Sequence, residues 1–472
     1  MLLLLLAASV GAVWASHGLG KTWTSVAGDI RALPGLTLLP SEVAIVSYNV
    51  LGPLHGESSK HDYAPVSITK WTRRREKLLD ELRGLQADVL CLQEVSQKSL
   101  RETFIPGLRS VGLVCSGFAP TRTGHESKGR FGHKSIGCAI FTRSSKLDVL
   151  SSKRVHLRDF APLDGCASHD FHTDVVGLSQ SMAMLHLRLR GEGEAVAEAE
   201  AEAPLARISQ TQSDKGEEDE EVEEEEVAVD SAKESGEPAP KHSFIVANTH
   251  LFWNPDRADI KATQTFAAAR ALQHFARDRG FPAPSSSVSP PVVFCGDFNS
   301  PPEMPFDPSL PPIPSAPFAL LTTGVLPPDH PEHPDRWFSR LSVQRHRPGG
   351  FRSLQNAQTS SSGGGGGDSP PTQAEPYSCP QLGPFVAPFT LDNVYQLAPF
   401  SAVAPLLTTK TDDFAGWIDH IFISSAVEAT HVLTPPILRA SLTASLENRA
   451  FSPIPNKAYP SDHLPIGVVV RV

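Results

Sequence analysis

Cysteine is scarce: six among 472 residues, widely scattered, with no Cys-x-x-Cys pair. So thin a set excludes a disulfide framework and a zinc ribbon. Cys91, Cys138 and Cys295 sit inside apolar runs and read as buried thiols. There is no His-x-x-x-His spacing either, which argues against zinc. Nothing recurs with a period of roughly 20–50 residues, so a solenoid is disfavoured. The composition also excludes a polytopic membrane protein, a collagen-like repeat and a wholly disordered chain. Positive charge is in deficit, 42 Lys+Arg against 52 Asp+Glu, for a net charge of −10. That deficit is local. Residues 191–240 hold 18 acidic and 3 basic side chains, leaving 39 basic against 34 acidic elsewhere. The body is mildly basic, which permits a polyanionic substrate without requiring one.

What is present suffices for a large core, with 40% hydrophobic residues. Residues 1–15, MLLLLLAASVGAVWA, are too short for a comfortable membrane span; Val13 and Ala15 suit a signal-peptidase site before Ser16, although no cation precedes the leucines. The expected organisation is a leader over 1–40 and one domain over 41–472. Two inserts interrupt that domain: a solvated acidic tract at 191–240 and a Gly/Ser/Pro-rich stretch at 341–377. Residues 282–291 and 301–317 read as proline-rich loops. Short apolar runs predict strands at 43–48, 88–92, 135–142, 182–188, 243–248, 292–295, 418–423 and 464–470. Leu78, Leu79, Leu82 and Leu85 recur at helical spacing, and residues 259–277 form a second helix. Many strands with few helices, and no strict alternation, predict an α+β layered fold.

The informative pattern lies at the strand ends. Successive strands run out into Asn49, Glu94, His250, Asp297 with Asn299, and Asp419, while Asp462 and His463 stand just before the last strand. Any one of these has a structural explanation, because Asn and Asp favour turns. As a set they supply hard oxygen ligands and a proton-transfer group. Mg²⁺ takes one or two carboxylates and keeps several waters. Phosphoryl transfer needs charge stabilisation and a positioned water more than covalent chemistry. The set therefore points to phosphodiester hydrolysis.

The ordered motifs YNVLG, LQEV, NTHLFWNP, GDFNS, IDHIF and YPSDHLP resemble the endonuclease/exonuclease/phosphatase superfamily. Within it they are most similar to the carbon-catabolite-repressor-type deadenylases, with nocturnin and the Angel proteins. The likeness runs from about residue 42 to residue 471. It implies a four-layer α/β sandwich, with two central, mostly antiparallel β-sheets flanked by helices. It also implies a Mg²⁺ site (one or two ions, Mn²⁺ as substitute) at Glu94, Asn49 and Asp462, with Asp297 orienting water. Asn299 and His250 would contact phosphate, His463 would stabilise the phosphoryl group, and Asp419 would be the carboxylate partner of His463. Phe414 and Pro255 occupy the positions that hold a terminal adenine. The implied substrate is the 3′ end of single-stranded RNA, poly(A) in particular, cleaved 3′ to 5′ with release of 5′-AMP. The alternatives are a phosphatase on a small adenylated nucleotide and an inactive scaffold binding partners through the acidic insert. No leucine-rich-repeat docking module and no stable membrane partner are expected. The location is cytoplasmic by resemblance, or secretory or organellar if the leader acts as a signal. His420 and Asn254 depart from the family's usual Tyr and Asp.

Overall fold

A computed structural model describes residues 22–25, 30–32, 38–58, 61–121, 136–162, 180–191, 238–282, 289–304, 311–336, 382–405, 407–434 and 452–472. The leader's apolar stretch, the acidic run and the Gly/Ser/Pro-rich insert lie outside these residues. Among the described residues no helix is long and apolar enough to cross a membrane.

Two sheets form the centre. The larger has eight strands in the spatial order Ile30–Ala32, Thr22–Ser25, Glu428–Thr434, Ile466–Arg471, Glu42–Asn49, Val89–Ser96, Ile136–Arg143 and Leu113–Pro120. The second has six, in the order Asp392–Asn393, Asp419–Ile423, Val292–Asp297, Ser243–His250, Ser181–Leu189 and Leu147–His156. Pairing is antiparallel throughout, except Glu42–Asn49 with Val89–Ser96 and Val292–Asp297 with Ser243–His250.

Strands covered on both faces should be apolar without alternation, and Glu42–Asn49 is buried along its whole length. Its side chains sort by parity. Val43 and Ile45 pack between the sheets with Val246, Val293, Ile421 and Val468. Ala44, Val46 and Tyr48 face the other way, onto Leu78, Leu79 and Leu82 of the helix Trp71–Gly84. Truncating any of those leucines to Ala would cost about 2–5 kcal/mol. On the far side the helix Ala258–Asp278 lies over Ile245, Ala247 and Phe294. It is itself covered by Phe318, Leu320 and Leu321 of Ala316–Thr323. The order helix, sheet, sheet, helix is the expected four-layer sandwich.

Every expected strand is present. The structure adds Leu113–Pro120, Leu147–His156 and Glu428–Thr434, together with the short strands Thr22–Ser25, Ile30–Ala32 and Asp392–Asn393, the first two of these short ones inside the expected leader. Leu113–Pro120 is broken by Ser116 and Gly117 at a register shift, and Leu147–His156 alternates with exposed residues at the sheet edge. Neither shows the apolar run that marks an interior strand. The loop expected over 301–317 gives way to helix at Ala316, where Pro317 stands in the first turn.

Candidate active site

Strand register gathers the polar ends. Asp297 lies beside His250 on one neighbouring strand and beside Asp419 on the other. The larger sheet brings Asn49 to the same end. Its Nδ2 donates to Asp297 Oδ2 (3.0 Å) across the sheets and lies 3.2 Å from Glu94 Oε1. Beneath, Gln93 Nε2 donates to Asn248 Oδ1 (2.7 Å), and Asn248 Nδ2 donates to the Leu92 and Ala139 carbonyls. This buried amide ladder fixes one sheet against the other. Gly296 is required by backbone contact, since a Cβ there would stand 2.2 Å from the Thr249 carbonyl oxygen.

Three residues hold left-handed backbone conformations at the site: Asn299, Glu94 and Leu51 (φ 50°), whose N–H donates to Asn49 Oδ1. Asn299 (φ 48°) closes a turn in which its N–H donates to Asp297 Oδ1, while its Nδ2 donates to the Leu251 carbonyl. Such a φ suits Asn. It does not suit Glu94 (φ 60°), where the strand breaks register between Leu92 and Val95. That bulge re-aims the side chain, at a cost of order 1–3 kcal/mol.

His463 Nδ1 donates to Asp419 Oδ2 (2.8 Å), and its Nε2 lies 3.7 Å from Asp297 Oδ2. Thr408 fixes Asp419 by donating to the same Oδ2 (2.5 Å) while accepting from the Ile418 and Asp419 N–H groups. Burial opposes charge on the ring, but Asp419 and Asp297 outweigh it and hold His463 well above the usual histidine range. Burial pushes Asp419 up to about 6; His463 draws it down, and Asp297 adds to the rise. The proton of this pair rests on His463, between two carboxylates. Glu94 is different. Burial would raise it, yet the charge and hydrogen bond of His55, the His250 ring and the Gly52 N–H hold it well below the ordinary carboxylate range.

Ligand atoms of Asp297, Asp419 and His463 lie within 4.8 Å of one another, close enough to share a metal ion once His463 has given up its proton. Asp419 Oδ1 is buried without a hydrogen-bond partner among the described atoms. The donor set is mostly oxygen, which fits a hard divalent cation.

His250 Nε2 lies 3.5 Å from Asp297 Oδ2. Asp462 bonds His61 Nε2 (3.2 Å) rather than Glu94 or Asn49. Asn49 turns its NH₂ to the carboxylates and its Oδ1 to the Leu51 N–H, so it bridges them as a donor. Phe414 is 50% exposed on the hairpin of Thr409–Lys410 and Ala415–Gly416, and Thr409 donates to the Asp462 carbonyl. Pro255 is exposed in the turn after Asn254. No contact joins it to Phe414 among those described. His420 is buried, with Nε2 on the Ser300 carbonyl (2.8 Å), and so supports the GDFNS turn.

Sequence reasoning overlooked His55, His61, Thr408 and Lys261. Lys261, buried on the helix Ala258–Asp278, donates to the Asn299 carbonyl (2.7 Å). The DIKATQ stretch was a signal for it; the two histidines lie in a loop with no periodicity to reveal them.

A two-sheet sandwich with carboxylates, amides and a His–Asp pair at one end defines a phosphoester hydrolase. Residues 46–463 match the model of the Endonuclease/Exonuclease/phosphatase family, and the chain belongs to that family. Among its relatives is carbon catabolite repressor protein 4 homolog 4 of Arabidopsis thaliana, 25% identical over 433 residues, covering 91% of this chain and 77% of the relative. Another is the CCR4-Not complex 3′-5′-exoribonuclease subunit Ccr4 of Emericella nidulans, 25% identical over 332 residues and 64% of this chain. The match spans 40% of that longer protein. The fold is shared with ANGEL2, a 2′,3′-cyclic phosphatase solved with adenosine-2′,3′-vanadate (TM-score 0.56, 21% identity, covering 97% of this chain and 99% of that one). Within the family the chain groups with carbon-catabolite-repressor and Angel members. Enzymes of this family use divalent metal ions.

Proposed function

We propose that the chain is a Mg²⁺-dependent 3′-to-5′ exoribonuclease that removes terminal adenylates from single-stranded RNA and releases 5′-AMP. The observation that carries this reading is the bridge from Asn49 to both Glu94 and Asp297 across the sheets, with His250, Asp419 and His463 gathered around Asp297. The exoribonuclease relative supports RNA as the substrate class.

Glu94 is the principal cation ligand, because its neighbours keep it anionic. Glu94 would hold a divalent cation, which when bound would supply positive charge toward the phosphate oxygens, the main requirement of phosphoryl transfer. Asp462 borders this site through His61. Asn299 and His250 orient the phosphate. Asp297 takes the proton of the attacking water as its oxygen bonds to phosphorus. The bond to the preceding nucleotide's 3′ oxygen breaks, and that oxygen takes a proton from solvent. His463, charged and aligned by Asp419, faces the growing negative charge. Phe414 offers an aromatic face for the terminal adenine, with Pro255 as the opposing wall, a contact worth about 1–3 kcal/mol.

A second reading uses the same residues on a terminal 2′,3′-cyclic phosphate or a small adenylated nucleotide. The ANGEL2 likeness favours it. A 5′-labelled oligo(A) with Mg²⁺ separates the two. Stepwise shortening, lost in Glu94→Ala, supports the exoribonuclease. An intact oligo(A), with release of phosphate from a dinucleotide or opening of the cyclic end, transfers the site to the second reading.

A further inference from the structure

Two aromatic rings are exposed among the described side chains, Trp253 at 57% and Phe414 at 50%. Both flank the site. Trp253 stands three residues beyond His250, so no more than about 11 Å of chain separates the two. A solvent-facing Trp is uncommon, because this side chain is among the most buried on average.

The ring is not exposed for want of a fixed backbone. Just before it, the Leu251 N–H donates to the Asp297 carbonyl (2.9 Å), and the Leu251 carbonyl accepts from Asn299 Nδ2. The Phe252 N–H donates to Oε1 of Gln264 (2.9 Å), on the helix Ala258–Asp278. Just after it, Asn254 accepts the Asp256 N–H on its side chain (2.9 Å) and the Arg257 N–H on its carbonyl (3.2 Å). Trp253 is thus held between two pinned points, with the Phe252 ring tilted against it at 6.0 Å. A platform ordered before its ligand arrives costs little entropy on binding.

We propose that Trp253 is a second nucleobase platform, which stacks the base of the penultimate nucleotide, the one whose 3′ oxygen leaves. This rests on the RNA-cleaving reading and extends it by one residue behind the terminal adenylate. The terminal base has Phe414 and Pro255. Trp253 lies two residues nearer His250 than Pro255 does, toward the phosphate that joins the two nucleotides. An indole face needs no particular hydrogen-bonding edge, since every base presents a π-face. The penultimate position should therefore accept any base.

Fluorescence anisotropy of 5′-labelled RNA hexamers on the full chain with Mg²⁺, their terminal linkage a slowly hydrolysed phosphorothioate, reads binding apart from turnover. Trp253→Ala should weaken binding of oligo(A) about tenfold, and Trp253→Phe should recover it to within about threefold. A hexamer with an abasic penultimate residue should bind the wild type about tenfold more weakly, with less than about twofold further loss in Trp253→Ala. Uracil in place of that adenine should change binding less than about threefold. Equal losses in Trp253→Ala with and without the penultimate base, or no loss at all, overturn the proposal. If oligo(A) with ordinary linkages stays uncut while the coupling between Trp253 and that base holds, the exoribonuclease reading fails and the platform stands.

Discussion

Asp419 and Glu94 are largely buried carboxylates at the same end of the sandwich, each with an imidazole nitrogen against one oxygen, at 2.8 Å and 2.6 Å. Their acidities diverge. Asp419 rises to about 6 because burial is reinforced by Asp297 and only partly offset by His463 and Thr408. Glu94 falls because the charge and hydrogen bond of His55, with the His250 ring and the Gly52 N–H, outweigh burial. Burial sets the same tendency in both. The count of donors against neighbouring anions decides the sign. The Glu94 side of the site stays anionic, as the cation ligand proposed above must, and the Asp419 side keeps a proton on His463.

Isosteric amides test this division most severely. Glu94→Gln should abolish divalent-cation binding, measured by calorimetry, together with hydrolysis. Asp419→Asn should leave cation binding within about threefold of wild type. Its turnover should fall about 10²–10⁴-fold, because an amide no longer keeps His463 charged and aligned. Equal loss of cation binding in both variants would erase the distinction and move the metal to the Asp297, Asp419 and His463 cluster. Thr408→Val removes one donor to Asp419 and strands two backbone N–H groups, so a smaller fall of about tenfold in turnover is expected.

The layered fold was readable in the sequence because its strands are buried on both faces and appear as plain apolar runs. Residues at their ends were readable too, because a strand end is a fixed place in such a fold. Glu94, His250, Asp297 and Asp419 all reach the site in this way. What escaped was set by loops. Nothing in LGPLHGESSKHDY says that His55 will turn back onto Glu94 or His61 onto Asp462, since both contacts depend on the bulge at Glu94 and on the packing of a distant segment. Asn49 was legible as a site residue, but the orientation of its amide was not, because the Leu51 N–H decides it. The edge strands escaped for the opposite reason: their exposed residues hide the pattern that marks interior ones.

Phe414 probes a region that neither carboxylate touches. Phe414→Ala should lower the preference for oligo(A) over oligo(U) by about 10-fold, within the ~1–3 kcal/mol of a stacked base. Cation binding should not move. An equal loss on both homopolymers would assign Phe414 a role in hairpin packing instead.

His186 offers the smallest and cleanest contrast with His463. It too is buried, at 3% exposure, but it stands edge-on to Phe281, and among the described residues no carboxylate pairs with it and its Nε2 has no hydrogen-bond partner. Burial, with a lesser contribution from Arg279, pushes it down to about 4, opposite to His463. Because its folded-state pKa lies below the unfolded value near 6.5, the unfolded chain binds more protons between about pH 6.5 and pH 4. The neutral ring's contribution is complete above that window and is lost as the pH falls through it, by about 3 kcal/mol. His186→Leu should remove this part of the acid sensitivity. Between pH 7 and pH 4.5 the denaturant midpoint of the wild type should fall further than that of the variant. Parallel midpoints at both pH values would mean that burial alone does not hold this ring neutral, and that the upward shift of His463 owes less to its carboxylates than the comparison requires.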